Sequence, residues 1–194
     1  MLGASYVFAR LIGSAEFGII NNPCFQCVQP SIKQEGHAVN PFILVSRYLK
    51  LRASQKEIET LLKSMTVVVD TREQVWSHIE SGLTKLHYTN ERGKLDYGDY
   101  TCKIPDLDGK PVILSDEVVI ERKANLDEIA GNFTADRRRF EAEFIRAKAT
   151  GVKVFLLIEN ASWVDIFSGN YRSHIAPNAL AAAIIVFFFK RSDR

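Results

Sequence analysis

The stretch VVIERKANLD, residues 118–127, is an apolar strand pattern that runs directly into charged residues. Its first three residues are β-branched, which favours a buried strand. Successive strand residues point to opposite faces, so Glu121 and Lys123 share one face and Arg122 points to the other. A carboxylate beside an ammonium at the end of a buried strand forms either a simple ion pair or half of a metal-dependent hydrolase. The choice depends on which other residues reach this strand end.

Acidic residues also stand at the ends of two other predicted strands. Asp70 ends TVVVD, and Asp99 lies in DYGDYTCKI (96–104), which we expect to pair as a hairpin with DEVVIERK (116–123). In such a hairpin the carboxylates of Asp99 and Glu121 lie close together and repel unless a proton or a cation bridges them. A hard divalent ion takes oxygen ligands of this kind. An isolated E-x-K pattern, however, is more often a turn cap or a surface ion pair.

The composition indicates one globular domain with an appendage. The chain has 194 residues, of which 46% are hydrophobic and 25% charged, enough for a substantial core. Lysine and arginine number 25 against 23 aspartate and glutamate, which gives a net charge of +2. Because this balance lacks the overall basicity of many nucleic-acid-binding domains, any surface for nucleic acid must be local.

The sequence divides into an N-terminal extension of unassigned function, residues 1–64, and a main domain, residues 65–194. The extension has no sustained period up to about residue 50, and its SQKE capping box predicts a helix at about 54–64. In the main domain, strand and helix patterns alternate. The predicted strands are TVVVD (66–70), the two hairpin strands and VKVFLLIE (152–159), and the predicted helices are REQVWSHIESGL (72–83), ADRRRFEAEFIRAKATG (135–151) and a segment after Pro177. These elements predict an α/β fold with a mixed central β-sheet flanked by helices.

Cysteine usage and hydropathy indicate a cytoplasmic protein. The three cysteines are an odd number, which argues against a disulfide framework and for a reducing compartment. Cys24 and Cys27 form a C-x-x-C pattern near His37, but zinc normally takes four ligands, so ordinary thiols are the default interpretation. The N-terminus lacks the basic start of a signal peptide, and the apolar run 179–189 is about half the length that spans a bilayer. We therefore expect no association with a membrane.

Several spaced motifs together resemble the XPF-type structure-specific DNA endonucleases, a branch of the restriction-endonuclease-like PD-(D/E)xK superfamily. Their hallmark, G-D-x(n)-E-R-K-x-x-x-D, is matched at every fixed position between Gly98 and Asp127. The preceding DTRE (70–73) and the later VFLLIE strand (154–159) follow in the family's order. The resemblance covers about residues 66–190 and implies a restriction-endonuclease-like fold. With no helicase-like region and no helix-hairpin-helix modules, the chain resembles the stand-alone form of bacteria and their viruses.

The resemblance implies a DNA endonuclease that uses Mg²⁺ or Mn²⁺ and cuts branched, flap or fork DNA. Asp99 and Glu121 resemble the metal ligands, and Lys123 resembles the catalytic lysine. Asp70 resembles an auxiliary catalytic acid. The residues that resemble supporting positions are Arg72, Glu73, Arg122 and Asp127. For Arg122 two roles stay open, a structural ion pair or a direct phosphate contact. The alternative function is a catalytically inactive DNA-binding partner subunit of the same fold.

The helix at 135–151 is the candidate DNA-binding surface. In the family interpretation its basic flank runs along a phosphate backbone, with Arg138, Arg139 and Arg146 as the expected contacts. An ordinary solvated helix face with i,i+4 ion pairs is the alternative. The apolar C-terminal segment after Ala179 needs burial against the extension or a second copy of the chain, so a homodimer is a further expectation.

Overall fold

The computed structural model describes residues 43–45, 50–52, 60, 63–105 and 109–189, with side chains up to residue 185. Its strands are β1 Ile43–Val45, β2 Lys50–Arg52, β3 Thr66–Asp70, β4 Thr89–Gly93, β5 Tyr100–Pro105, β6 Pro111–Ile113, β7 Val118–Lys123 and β8 Lys153–Ile158. Its helices are α1 Ser77–Lys85, α2 Leu126–Phe133, α3 Arg137–Ala149, α4 Trp163–Ser168 and α5 Pro177–Phe189. Cys24, Cys27, His37 and most of the helix expected at 54–64 lie outside the described residues.

The main sheet is mixed, which confirms the predicted α/β fold with a restriction-endonuclease-like arrangement. Strands follow the order β4-β3-β5-β7-β8, and β6 adds to β5. The pairs β3–β4 and β7–β8 are parallel, whereas β5 runs antiparallel to both β3 and β7. The predicted hairpin partners are therefore neighbours at the centre of the sheet. β1 and β2 form a separate antiparallel pair.

Two apolar cores cover the two faces of this sheet. One core joins β3, β5 and β7 to α1 through residues such as Val67, Tyr100 and Leu83. The other joins β8 to α2, α3, α4 and α5, with Phe140 and Phe144 of α3 contributing the predicted aromatic stripe. Because both faces are covered, β3 and β7 are buried along nearly their whole length, as their continuous β-branched sequences predict.

The helix predicted at 72–83 is displaced toward the C-terminus, since α1 runs from Ser77 to Lys85. Arg72 and Glu73 stay outside it because their backbone N–H groups bond to Asp70 instead, at 2.7 Å to its carboxylate and 3.1 Å to its carbonyl oxygen. The sequence prediction was wrong at this boundary, and the segment before α1 is a loop. None of the helices in the described part of the chain is both long and apolar enough to cross a membrane.

A left-handed glycine brings the start of β5 against the end of β7. Gly98 has φ +66°, and a Cβ atom there would lie 2.9 Å from the carbonyl oxygen of Ile120. Directly after it, the N–H of Asp99 donates to that same oxygen at 2.7 Å, and the N–H of Asp70 donates to the Asp99 oxygen at 2.7 Å. The backbone of Asp99 is thus bonded to β7 on one side and to β3 on the other.

We predict that Gly98→Ala lowers the free energy of unfolding by about 3 kcal/mol, because the methyl group meets β7 in addition to the positive φ. Gly109→Ala is the matched control: its φ is also positive, at +78°, but no atom of the described residues lies within 4 Å of an added Cβ. It should lose only about 1 kcal/mol. Urea unfolding of both variants measures the difference, and equal losses would contradict the close approach of Gly98 to β7.

Candidate active site

Asp99 directs its carboxylate toward the end of β7. Its Oδ2 accepts a hydrogen bond from the backbone N–H of Arg122 at 2.8 Å, and no described residue donates to its Oδ1. Burial, and next the charge of Glu121, raise the pKa of Asp99 to about 7. Burial also raises the pKa of Glu121. Two carboxylates that disfavour each other's charge in this way are stabilised by a shared proton or by a cation.

Lys123 is held among acidic side chains beside this pair. Its Nζ lies 2.5 Å from Oε1 of Glu121 and 3.7 Å from Oε1 of Glu128. It also lies 5.4 Å from the ring centroid of Phe140. Burial by itself lowers the pKa of Lys123, but the charge and hydrogen bond of Glu121 together with the charges of Glu128 and Asp99 outweigh burial, so the pKa is raised. Lys123 is therefore an ammonium in this structure, suited to contacting an anionic group.

Glu128, which the sequence reasoning missed, is fixed at the first turn of α2. Its Oε2 accepts from the backbone N–H of Ala124 at 2.7 Å, while Asn125 Oδ1 accepts from the N–H of Glu128 at 3.0 Å. This is a reciprocal cap of the kind that the spacing N-x-x-E predicts. The signal was present in NLDE (125–128), which overlaps the end of the hallmark motif at Asp127. Glu128 places a second carboxylate near Lys123.

Asp70 uses its whole carboxylate to hold neighbouring segments together. Oδ1 accepts from the backbone N–H and from Nε of Arg72, both at 2.7 Å, and Oδ2 accepts from the N–H of Leu95 at 2.6 Å. Burial raises the pKa of Asp70, but the hydrogen bonds from Arg72 and Leu95 outweigh it, and the pKa is lowered. The carboxylate of Asp70 thus joins Arg72, in the loop before α1, to the backbone of Leu95. Its auxiliary catalytic role stays a prediction.

Arg122 belongs to a buried chain of ion pairs on the opposite face of β7. Its Nη2 lies 2.5 Å from Oε2 of Glu159, and its Nη1 lies 3.7 Å from Oε1 of Glu73. The other oxygen of Glu159 lies 2.8 Å from Nε2 of His78 on α1. With 7% of its side chain exposed, Arg122 is a structural ion-pair partner that joins the ends of β7 and β8 to the loop before α1. Glu159 was missed, although it is the acidic last residue of the predicted strand 152–159 and directly follows β8.

A pocket of about 380 Å³ opens at this end of the sheet. It is lined by Arg72, Glu73, Gln74, Val75, Asp99, Arg122, Lys123, Ala124 and Glu128. The structure therefore brings together five of the predicted site residues, and two of them, Asp99 and Lys123, carry the predicted chemistry. Glu121 lies behind Lys123, through their 2.5 Å contact, and does not line the pocket itself.

Asp127, the last fixed letter of the hallmark motif, lies outside this pocket. Its Oδ1 accepts from the backbone N–H of Arg172 at 2.6 Å, and its Oδ2 lies 2.8 Å from the Nε of the same residue. These hydrogen bonds lower the pKa of Asp127. Asp127 thus joins the start of α2 to the segment between α4 and α5. This fits a supporting position outside the pocket.

The arginines of α3 differ in the direction they face. Arg138, Arg139 and Arg146 are all exposed. Glu143 is close enough to raise the pKa of Glu121, so its face of α3 is turned toward the site. Arg139 and Arg146 lie one turn before and after Glu143 on that side of the helix. Arg138 lies about 140° around the helix from Glu143, on another face.

Asp99 and Glu121 are the predicted ligands of a divalent ion, without a larger ligand cluster among the described residues. Among the described residues, no group of three or more histidine, cysteine, aspartate or glutamate side chains is arranged to hold a metal ion. Mg²⁺ is commonly held by one or two carboxylates together with waters and substrate phosphate, so Asp99 and Glu121 stay the predicted ligands of such an ion. Burial, and next the charge of Glu121, raise the pKa of Asp99, and a cation beside the two carboxylates would favour their charged forms.

Comparison with protein families identifies the family to which the chain belongs. The ERCC4 domain family matches residues 69–189, which is well over half of the chain, and no curated protein sequence matches. The match spans the whole mixed sheet from the end of β3 and every candidate site residue. The chain therefore belongs to the ERCC4 domain family, which confirms the XPF-type resemblance. It carries a nuclease-type domain that acts on DNA.

The pKa of Asp99 predicts how the metal-free protein responds to pH. Because the folded state raises this pKa from 3.8 to about 7, the stability contributed by the protonated carboxyl is full below about pH 4 and is lost as the pH rises through 7. We predict that Asp99→Asn, which stays neutral, raises the melting temperature at pH 8 in EDTA by about 4 °C and changes it little at pH 4.

Thermal unfolding between pH 4 and pH 8 measures this effect. Asp96→Asn, at an exposed position three residues earlier, is the control and should follow the wild type throughout. A melting temperature for Asp99→Asn at or below that of the wild type at pH 8 would contradict the repulsion between Asp99 and Glu121.

Proposed function

We propose that this protein is a divalent-metal-dependent DNA endonuclease that hydrolyses phosphodiester bonds in branched, flap or fork DNA. The observation that carries the proposal is the position of Asp99, whose carboxylate is aimed at the end of β7 where Glu121 and Lys123 lie. Asp99 and Glu121 would hold Mg²⁺ or Mn²⁺. The chemistry supplied by the bound ion is polarisation of the phosphodiester and activation of a water molecule.

Lys123 contributes positive charge where the phosphoryl group gains negative charge. As an ammonium with a raised pKa, it stabilises a phosphoryl oxygen or orients the attacking water rather than deprotonating it. Lys123 pairs with Glu121 in this structure; if Glu121 held a divalent ion instead, the Lys123 ammonium would be available to a phosphoryl oxygen of the substrate. Glu128, on the other side, keeps a second anchor for Nζ.

Binding of the DNA rests on phosphate contacts. Arg139 and Arg146 extend from the face of α3 that is turned toward the site, and Arg72 exposes 63% of its side chain at the pocket. Arg138 extends the positive charge along another face of α3. Contacts of this kind follow backbone shape and carry no base sequence, which suits a nuclease that selects a branch or a junction.

A homodimer is part of the proposal. Val164 and Phe167 of α4 expose 73% and 57% of their surface, and α4 packs directly against the strongly apolar α5. Apolar side chains exposed together on one short helix are typical of an interaction surface. A second copy of the chain would cover them.

The test is cleavage of labelled duplex, 3′-flap, 5′-flap and fork DNA with Mg²⁺, with Mn²⁺ and with EDTA. We predict that the wild type cuts flap and fork DNA faster than duplex, only with a divalent ion. Lys123→Ala and Asp99→Asn should each lower kcat by about 10³-fold while leaving DNA affinity nearly unchanged. Lys85→Ala, at the exposed end of α1, is the matched control and should cut like the wild type.

Two results would contradict the proposal. Cleavage that continues in EDTA would show that the reaction needs no divalent ion held by Asp99 and Glu121. DNA binding without cleavage under every divalent-ion condition would favour the alternative, an inactive DNA-binding partner subunit.

A further inference from the structure

The loop of residues 71–76, between β3 and α1, presents an apolar side chain to a pocket that is otherwise mainly polar. Val75 is 66% exposed and lines the pocket together with Asp99 and Lys123. Seven large apolar side chains of the described residues are exposed, and Val75 is the one among them that lines this pocket. Isolated exposed valines are ordinary on protein surfaces, so the position of Val75 requires a further argument.

The edge strand β4 braces this loop from outside. Nη2 of Arg92 donates to the carbonyl oxygens of Thr71 and Glu73, at 2.8 and 2.9 Å. The guanidinium of Arg92 also lies 5.2 Å from the ring centroid of Trp76, the residue that precedes α1. One arginine thereby fixes the beginning, the middle and the end of the loop.

The loop is also braced from the side of the site. Oε1 of Glu73 accepts from the backbone N–H of Val75 at 2.9 Å and lies 3.7 Å from Nη1 of the buried Arg122. The guanidinium of Arg72 bonds to Asp70 at 2.7 Å and to the carbonyl oxygen of Leu95 at 3.0 Å. The position of Val75 is therefore fixed from β7. Its backbone N–H donates to the carboxylate of Glu73, and that carboxylate pairs with Arg122 of β7.

Each phosphodiester of DNA is flanked by sugars and by bases with apolar faces. A pocket that receives the phosphate at Asp99 and Lys123 also receives the flanking nucleotide. Proteins unstack bases with rigidly held apolar side chains, and unstacking is easiest where pairing is already weak. A braced valine at the edge of a catalytic pocket has both the chemistry and the rigidity for this.

We propose that Val75 is an apolar wedge that packs against the nucleobase next to the scissile phosphodiester and unstacks it. This inference rests on the proposed nuclease function and adds a source of substrate preference. Junctions and frayed ends are cut faster because their bases leave the stack more easily, so Val75 unstacks them at a lower cost in free energy.

The test compares Val75→Ser with Ile113→Ser, a control at an exposed aliphatic residue of β6 that does not line the pocket. Once the cut site on fork DNA is mapped, a matching fork carries a mismatch at the adjacent base pair. We predict that Val75→Ser lowers kcat/KM by about 10-fold on the paired fork and by about 2-fold or less on the mismatched fork. Val75→Leu and Ile113→Ser should remain within about 2-fold of the wild type on both.

A second measurement reports the unstacking directly. With 2-aminopurine next to the mapped phosphodiester and Ca²⁺ in place of Mg²⁺, wild-type binding should raise its fluorescence and Val75→Ser binding should not. Unchanged kcat/KM and fluorescence for Val75→Ser would overturn the wedge, as would an equal loss on both forks. A wild type that cuts no substrate contradicts the nuclease function itself, and that outcome is seen before any Val75 variant is assayed.

Discussion

The position of Asp99 depends on two backbone hydrogen bonds, one to β7 and one from β3, and the rest of the site depends on Asp99. Its N–H bonds to Ile120 and its carbonyl oxygen accepts from Asp70, each at 2.7 Å, so its backbone is held beside the end of β7, where its Oδ2 accepts from the N–H of Arg122 at 2.8 Å. Burial and Glu121 then oppose its charge and raise its pKa to about 7. Two central strands of the sheet are thus used to hold together two carboxylates that repel each other, an arrangement that a cation stabilises.

Arg122 and Lys123, the two cationic side chains of β7 at the site, have different roles. Arg122 is buried and shared between Glu159 and Glu73, so it is committed to joining β7, β8 and the 71–76 loop. Lys123 lines the pocket and is held by carboxylates that a substrate or an ion can release. One strand therefore carries a buried structural ion pair on one face and the proposed catalytic lysine on the other, which follows from the alternation of side chains along it. The same scaffold fixes Val75 through Glu73.

Sequence reasoning could predict the elements whose burial is continuous. β3, β7 and β8 carry β-branched or aliphatic runs, and α3 carries the spaced Phe140 and Phe144, so their patterns were clear. β4 was missed because TNERG is polar, as suits an edge strand with few buried positions. Asp70 and Asp127 show the limit at the site: both match the motif, but each accepts hydrogen bonds that only the folded chain can reveal. Glu159 was missed for the same reason, since its partner Arg122 lies 37 residues away.

The central claim is that Asp99 and Glu121 hold a common divalent ion, and anomalous diffraction from crystals soaked in Mn²⁺ tests it most directly. The account predicts one anomalous peak bound by a carboxylate oxygen of each residue, with Nζ of Lys123 withdrawn from Oε1 of Glu121. A Mn²⁺ peak bound to other side chains, with Lys123 still paired to Glu121, would contradict the account.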